Sequence, residues 1–301
     1  MKKIKTYTLF FATTLLLITC TPDTKMNNVE IQGHRGARGH APENTMVSFL
    51  KALEIGVDVL ELDVVISADN QVLVSHEPWF NHKICTKPDG TPSTQEEEDI
   101  IKILELTYNQ IQQYDCGKRG NPDYPEQVKI PAQKPLLSEV FTKIEQHTDN
   151  NNLSKVAYNI EIKSRPIWDD VFTPLPAKFA QLVYDEVAKA GLKDRVCIQS
   201  FDLRSLQEIH KIDASITTAF LISNNDGIDQ NIKALGFMPT IYSPNHFLLN
   251  AGEIRKLHDK NIRVIPWTVN EKSHISRLIE WGVDGIISDY PDRVHEVLNE
   301  M

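Results

Sequence analysis

Three acidic residues in two short motifs carry the chemical signal of this chain. Glu61-Leu62-Asp63 and Asn159-Ile160-Glu161 each lie inside an apolar run, and alternation along an extended strand turns Glu61 and Asp63 to one face. Carboxylates that converge from neighbouring strand ends repel and raise one another's pKa unless a cation sits among them. An all-oxygen set suits Ca²⁺ or Mg²⁺, completed by solvent and a substrate phosphate, better than zinc. Taken singly, any one of these acids is more simply read as the partner of a nearby Lys or Arg. His34 and His76 have the side chain whose ordinary pKa suits a general acid and base near neutrality. Arg35 and Lys163 offer fixed positive charge to a phosphoryl oxygen, and Trp267 offers an apolar face to a carbon skeleton.

These residues act together only if the fold collects them. Apolar runs at 30–34, 59–64, 157–162, 195–199, 217–221, 240–243, 263–267 and 285–288 read as strands. Helical patterns fill 45–55, 136–147, 177–190, 202–211, 229–234, 251–259 and 273–281, with Asn44 as N-cap and Gly56 as terminator of the first. Eight strand-then-helix units suit an α/β TIM barrel, which needs about 250 residues, and a doubly wound open sheet is the alternative. The active site of such a barrel lies at the C-terminal ends of its strands, where the polar residues above fall. Asp69-Asn70 reads as a two-residue hairpin turn, a register that sets His76 opposite Asp63 on the face of Glu61. Residues 78–135 are too long and too rich in Pro, Gly and charge for a simple loop, and are expected to form a small insertion subdomain over the barrel mouth.

The 301 residues include 32 Lys+Arg against 41 Asp+Glu, a net charge of −9 without any basic run, which disfavours nucleic-acid binding. Lys2, Lys3 and Lys5 precede an apolar stretch over 9–18 that is too short to cross a bilayer and has the layout of a secretory signal. The sequence therefore divides into a signal peptide (1–19), a tether (20–28) and the barrel (29–301). Leu17-Ile18-Thr19-Cys20 resembles a bacterial lipobox, which implies an exported lipoprotein anchored through Cys20, although Thr19 departs from the usual small residue. Plain release to the periplasm or medium is the alternative. Export permits a Cys85–Cys116 disulfide, and Cys197, in an apolar strand, reads as a small buried hydrophobe.

In order along the chain come His34-Arg35-Gly36 with Pro42-Glu43-Asn44-Thr45, Glu61-Leu62-Asp63-Val64, Asn159-Ile160-Glu161-Ile162-Lys163, Gln199-Ser200-Phe201, Trp267-Thr268-Val269-Asn270 and Asp284-Gly285-Ile286-Ile287-Ser288-Asp289-Tyr290-Pro291. Together they resemble the glycerophosphodiester phosphodiesterase family over nearly the whole chain after the tether. The resemblance implies a divalent cation held by Glu61, Asp63 and Glu161, acid and base work by His34 and His76, phosphate contacts from Arg35 and Lys163, and a glycerol site lined by Trp267. One departure is His76-Glu77-Pro78, where the family commonly has Asp after the histidine. The implied substrates are small deacylated glycerophosphodiesters. Two rivals remain: a barrel phosphodiesterase acting on intact lipid, with Trp79, Phe80 and Phe172 as an apolar rim, and a silent surface protein that binds glycerophosphate-like ligands. The sequence leaves the oligomeric state open.

Overall fold

The computed structural model describes residues 29–301, so the expected signal peptide, Cys20 and the tether lie outside the described residues. In chain order the elements are β1 (Glu30–Gly33), α1 (Met46–Ile55), β2 (Val59–Ile66), β3 (Val72–Val74), α2 (Gln95–Glu98), α3 (Tyr108–Ile111), α4 (Leu137–Asn150), β4 (Ala157–Ile162) and α5 (Pro176–Ala190). They continue with β5 (Val196–Ser200), α6 (Leu203–Ile212), β6 (Thr217–Ile222), α7 (Ile228–Leu235), β7 (Ile241–Pro244), α8 (Ala251–His258), β8 (Arg263–Val264), α9 (Lys272–Trp281), β9 (Gly285–Ser288) and α10 (Pro291–Glu300). All strands but β3 run parallel in the order β8-β7-β6-β5-β4-β2-β1-β9. Backbone bonds from Asp284 N to Val264 O (2.9 Å) and from Ile287 N to Pro266 O (3.0 Å) join the two ends into a TIM barrel. Among the described residues no helix is long and apolar enough to cross a membrane.

The layering follows from strand alternation. Leu60, Leu62, Ile160 and Ile162 pack outward against Phe49, Phe179, Leu206 and Ile275 of the helices. The intervening positions turn into the barrel, where Asn159 Nδ2 donates to Gln32 Oε1 (2.8 Å) and Gln199 Oε1 (3.1 Å), and Gln199 Nε2 donates to Glu61 Oε1 (2.7 Å). Half-buried Cys197 packs against Ala219, Ile241, Ile265 and Ile287 inside the barrel, and burial pushes its thiol up.

Several expectations are corrected. β8 pairs regularly over two residues rather than the five of the expected strand 263–267, because Pro266 has no N–H for the ladder. α10 was missed, although Pro291 stands at its first turn and Val294 and Val297 are buried. The β2–β3 hairpin pairs Val64 with Val74 and Val65 with Leu73, one residue out of the expected register. Its loop has three residues, with Asn70 in the left-handed region (φ 58°) and Asn70 N donating to Ser67 O at 3.0 Å. Ser75, not His76, therefore lies across from Asp63, its N–H donating to Asp63 O at 2.9 Å.

The segment between β3 and α4 carries its own core of Phe80, Ile84, Ile103 and Ile111, seated on Val65 and Leu73 of the hairpin and crossed by a Cys85–Cys116 disulfide. Phe80 is buried and stacked on Tyr114 (3.6 Å), so it offers nothing to an exposed rim. Trp79 and Phe172 pack edge-to-face at 5.4 Å.

Candidate active site

The β1–α1 turn is the tightest part of the barrel mouth. Arg35 sits at φ 50° and Gly36 at φ 87°. A Cβ on Gly36 would lie 2.5 Å from Ser48 Oγ, and one on Gly33 would lie 2.2 Å from Gly36 O, so both positions exclude a side chain. The bend aims Arg35 N–H at Glu61 Oε2 (2.7 Å) and turns the Arg35 guanidinium to Glu43 (2.7 Å) and Asp63 (3.3 Å). Asn44, expected as the N-cap, is instead left-handed (φ 56°), and Thr45 caps α1 through Ser48 N. Its amide is thereby free to brace Asp63, with Nδ2 donating to Asp63 Oδ2 at 2.8 Å and Oδ1 accepting from Asp63 N at 3.2 Å.

The register of β2 on β4 pairs Glu61 with Asn159 and Asp63 with Glu161, which sets the three acids side by side on the inward face. One oxygen from each lies within 4.8 Å of the others. Lys163 Nζ donates to Glu161 Oε1 (2.8 Å) and lies 3.6 Å from Asp63 Oδ1. That Asp63 oxygen is buried and accepts no hydrogen bond. Burial, then Asp63, pushes the Glu61 carboxyl well above the usual range. Burial would raise Asp63 too, but His76, Arg35, Lys163 and Asn44 together hold it well below. Six carboxyl groups, Glu43, Glu61, Asp63, Glu77, Glu161 and Asp289, face four basic side chains, Arg35, Arg38, Lys134 and Lys163, a deficit of two basic groups in a buried cluster. An orphaned carboxylate oxygen, an oxygen-only donor set and that deficit fit a hard divalent cation.

Both histidines use Nδ1 for a carboxylate: His34 to Asp289 Oδ1 at 2.6 Å and His76 to Glu77 Oε1 at 2.7 Å. Glu77 thus reaches the ring despite its extra methylene. His34 Nε2 faces the acids, 4.0 Å from Glu61 Oε2, and burial pushes the ring down to about 4. His76 arrives after the end of β3, where the chain leaves the ladder, so its position comes from the departure of the strand and not from pairing with Asp63.

These groups surround a cavity of about 270 Å³ at the C-terminal ends of the strands, with Trp267, Phe201, Leu221 and Ile287 as its apolar wall. His34, Arg35, Glu61, His76, Glu161, Lys163 and Trp267 line it, and Asp63 lies behind them. The Trp267 ring is held by its own Nε1–H to Ser243 O (2.8 Å) and meets Phe201 edge-on at 5.2 Å. Reading the sequence missed Asn44, Gln199, Arg38 and Asp289 as site residues. Gln199 and Asp289 carried the same signal as the others, a polar residue ending an apolar strand.

Residues 34–293 match the profile of the glycerophosphoryl diester phosphodiesterase family. A glycerophosphodiester phosphodiesterase of Bacillus subtilis (strain 168) is 27% identical over 270 residues, covering 88% of this chain and 84% of that protein. A solved structure from Silicibacter pomeroyi DSS-3, named for the same activity, superposes with a TM-score of 0.80 at 28% identity, covering 91% of this chain and 94% of the other. An Oleispira antarctica phosphodiesterase in complex with the product sn-glycerol-3-phosphate shares the fold at a TM-score of 0.71 and 19% identity, with 90% and 96% covered.

Proposed function

Because the chain belongs to the glycerophosphoryl diester phosphodiesterase family, we propose that it hydrolyses small deacylated glycerophosphodiesters, such as glycerophosphocholine or glycerophosphoethanolamine, to glycerol 3-phosphate and the free alcohol. The observation that carries this reading is the convergence of three carboxylates and two imidazoles on one cavity. Glu61, Asp63 and Glu161 would hold one divalent cation, Ca²⁺ or Mg²⁺, which when bound supplies charge neutralisation and polarisation of a phosphoryl oxygen. Arg35 and Lys163 bring fixed positive charge to the remaining phosphoryl oxygens, and Trp267 packs on the glycerol carbons. One imidazole takes the proton of the attacking oxygen, from water or from the glycerol 2-hydroxyl. The other returns a proton to the leaving alkoxide, so the diester and one water yield a monoester and an alcohol.

A second reading, action on lipid that still bears an acyl chain, has one observation in its favour. Ile167, Phe201 and Phe247, in loops at the mouth, are 80%, 37% and 72% exposed. One experiment addresses both: glycerol 3-phosphate and lysophosphatidate release from a panel of glycerophosphodiesters and lysophospholipid micelles, after chelation and after re-addition of each cation. The proposal expects turnover of the soluble diesters, lost on chelation and restored by Ca²⁺ or Mg²⁺. Turnover confined to the micelles transfers the reading to the lipid class, and none at all in folded, cation-loaded protein overturns it.

We also propose export and lipidation at Cys20. Incorporation of labelled palmitate that persists in Cys20→Ala would contradict the anchor.

A further inference from the structure

We infer that Asp289 is a positioning residue, fixing His34 in the tautomer that carries its proton on Nδ1 and presents a lone pair on Nε2 to the cavity. The inference rests on the hydrolytic reading of the site for its consequence, but its geometry is independent of the substrate. Asp289 is 1% exposed and follows the last residue of β9 beside β1, where Gly33 pairs with Ser288. Its Oδ1 accepts from Arg38 Nε (2.8 Å) and meets His34 Nδ1 at 2.6 Å. Its Oδ2 accepts from Asn270 Nδ2 (2.7 Å), Tyr124 Oη (3.1 Å) and Arg38 Nη2 (3.1 Å). The orientation of the Asn270 amide is fixed independently, because its Oδ1 accepts from Asp289 N (3.0 Å) and Ser288 Oγ (3.2 Å). A carboxylate ringed by donors, one of them a guanidinium, is an acceptor only. The proton in the His34 contact therefore belongs to Nδ1. Burial opposes the charge on Asp289, and His34 and Arg38 outweigh it and hold the carboxyl far below the usual range.

The long segment between β3 and α4 takes part in this arrangement. Tyr124 donates to Asp289 and lies under the Arg38 guanidinium at 4.6 Å, and Gln127 Nε2 donates to Arg38 O at 2.8 Å. Residues of this segment thus brace the group that orients His34.

Asp289→Asn makes the inference testable, because the new amide has only two placements. With NH₂ at the Oδ2 position it would face three donors. At Oδ2 only the Tyr124 hydroxyl could turn to accept, leaving Arg38 Nη2 and Asn270 Nδ2 opposed to the new NH₂, whereas with NH₂ at the Oδ1 position it faces Arg38 Nε and His34, and the imidazole can change from donor to acceptor. The variant amide therefore donates to Nδ1 and moves the proton to Nε2. The experiment is ¹⁵N NMR of the His34 ring, assigned by its loss in His34→Gln, on cation-loaded wild type and Asp289→Asn, together with steady-state kinetics on glycerophosphocholine. The wild type is expected to show a protonated Nδ1, and Asp289→Asn a protonated Nε2 with kcat about 10²–10⁴-fold lower and KM changed less than about threefold. Tyr124→Phe keeps the wild-type tautomer and loses less than about tenfold in kcat. An unprotonated Nδ1 in wild type overturns the inference even if Asp289→Asn does not fold. So does Asp289→Asn with unaltered tautomer and kcat. A wild type that turns over no glycerophosphodiester yet shows Nδ1–H counts against the substrate reading and leaves the positioning role standing.

Discussion

At the N-terminal end of the barrel Glu145 of α4 accepts from both Arg195 Nη atoms (2.9 and 2.7 Å) and from Tyr158 Oη (2.8 Å), while Arg195 also donates to Val156 O (2.7 Å). Glu30 is paired there with Arg263 at 2.8 Å. At the C-terminal end the acids Glu61, Asp63 and Glu161 are crowded within 4.8 Å, and Asp63 Oδ1 has no donor. The same residue types do opposite things at the two ends. Matched charges at the N-terminal end tie strands to a helix and to each other, whereas the C-terminal end leaves Asp63 Oδ1 without a donor beside two further carboxylates, an arrangement that the proposed cation would complete.

The largest expected effect that sharpens this contrast is at the mouth. Glu161→Gln removes one of three converging acids while its amide oxygen can still accept from Lys163. Glycerophosphodiester turnover is expected to fall about 10³-fold or more. Burial, then Asp63, raises the Glu161 carboxyl, so in the fold its ionised form is the disfavoured one. Its raised pKa therefore weakens the cation-free protein as pH rises past the ordinary carboxylate range. The melting temperature of Glu161→Gln in chelator at pH 7 is accordingly unchanged or higher, and a clear drop would break the comparison.

Glu145→Gln should do the reverse. Burial opposes the charge on Glu145, but Arg195, Tyr158 and Lys155 outweigh it and bring the carboxyl down to about 2 from 4.5. A depressed folded pKa stabilises above the unfolded value and loses that contribution as pH falls through the folded one. With solvent screening the variant is expected to be about 1 kcal/mol less stable at pH 7 in urea titrations, the gap closing between pH 4.5 and about 2, with turnover within about twofold. Smallest of all, Lys155→Ala removes a 37% exposed partner 3.0 Å from Glu145 and should shift stability by less than about 0.5 kcal/mol.

The contrast also explains what the sequence could reveal. Buried parallel strands read as apolar runs, so the eight staves and the inward parity of Glu61, Asp63 and Glu161 were legible. Hairpin register was not, because it depends on whether the loop holds two residues or three, and that hinges on Asn70 adopting a left-handed backbone. Asn44 has the composition of an N-cap, and only the turn through Arg35 and Gly36 shows that its amide serves Asp63 instead. Arg38 and Tyr124 had no motif signal, since their meeting at Asp289 joins parts of the chain far apart in sequence.

The central claim, that the mouth acids are held unmatched for a cation, is tested most directly by calorimetric titration of Mg²⁺ and of Ca²⁺ into chelator-treated protein. The account predicts one site per chain in wild type and, in folded Asp63→Asn, binding weakened by about a hundredfold or more. Equal affinity in the two proteins, or no binding of either cation to wild type, would contradict it.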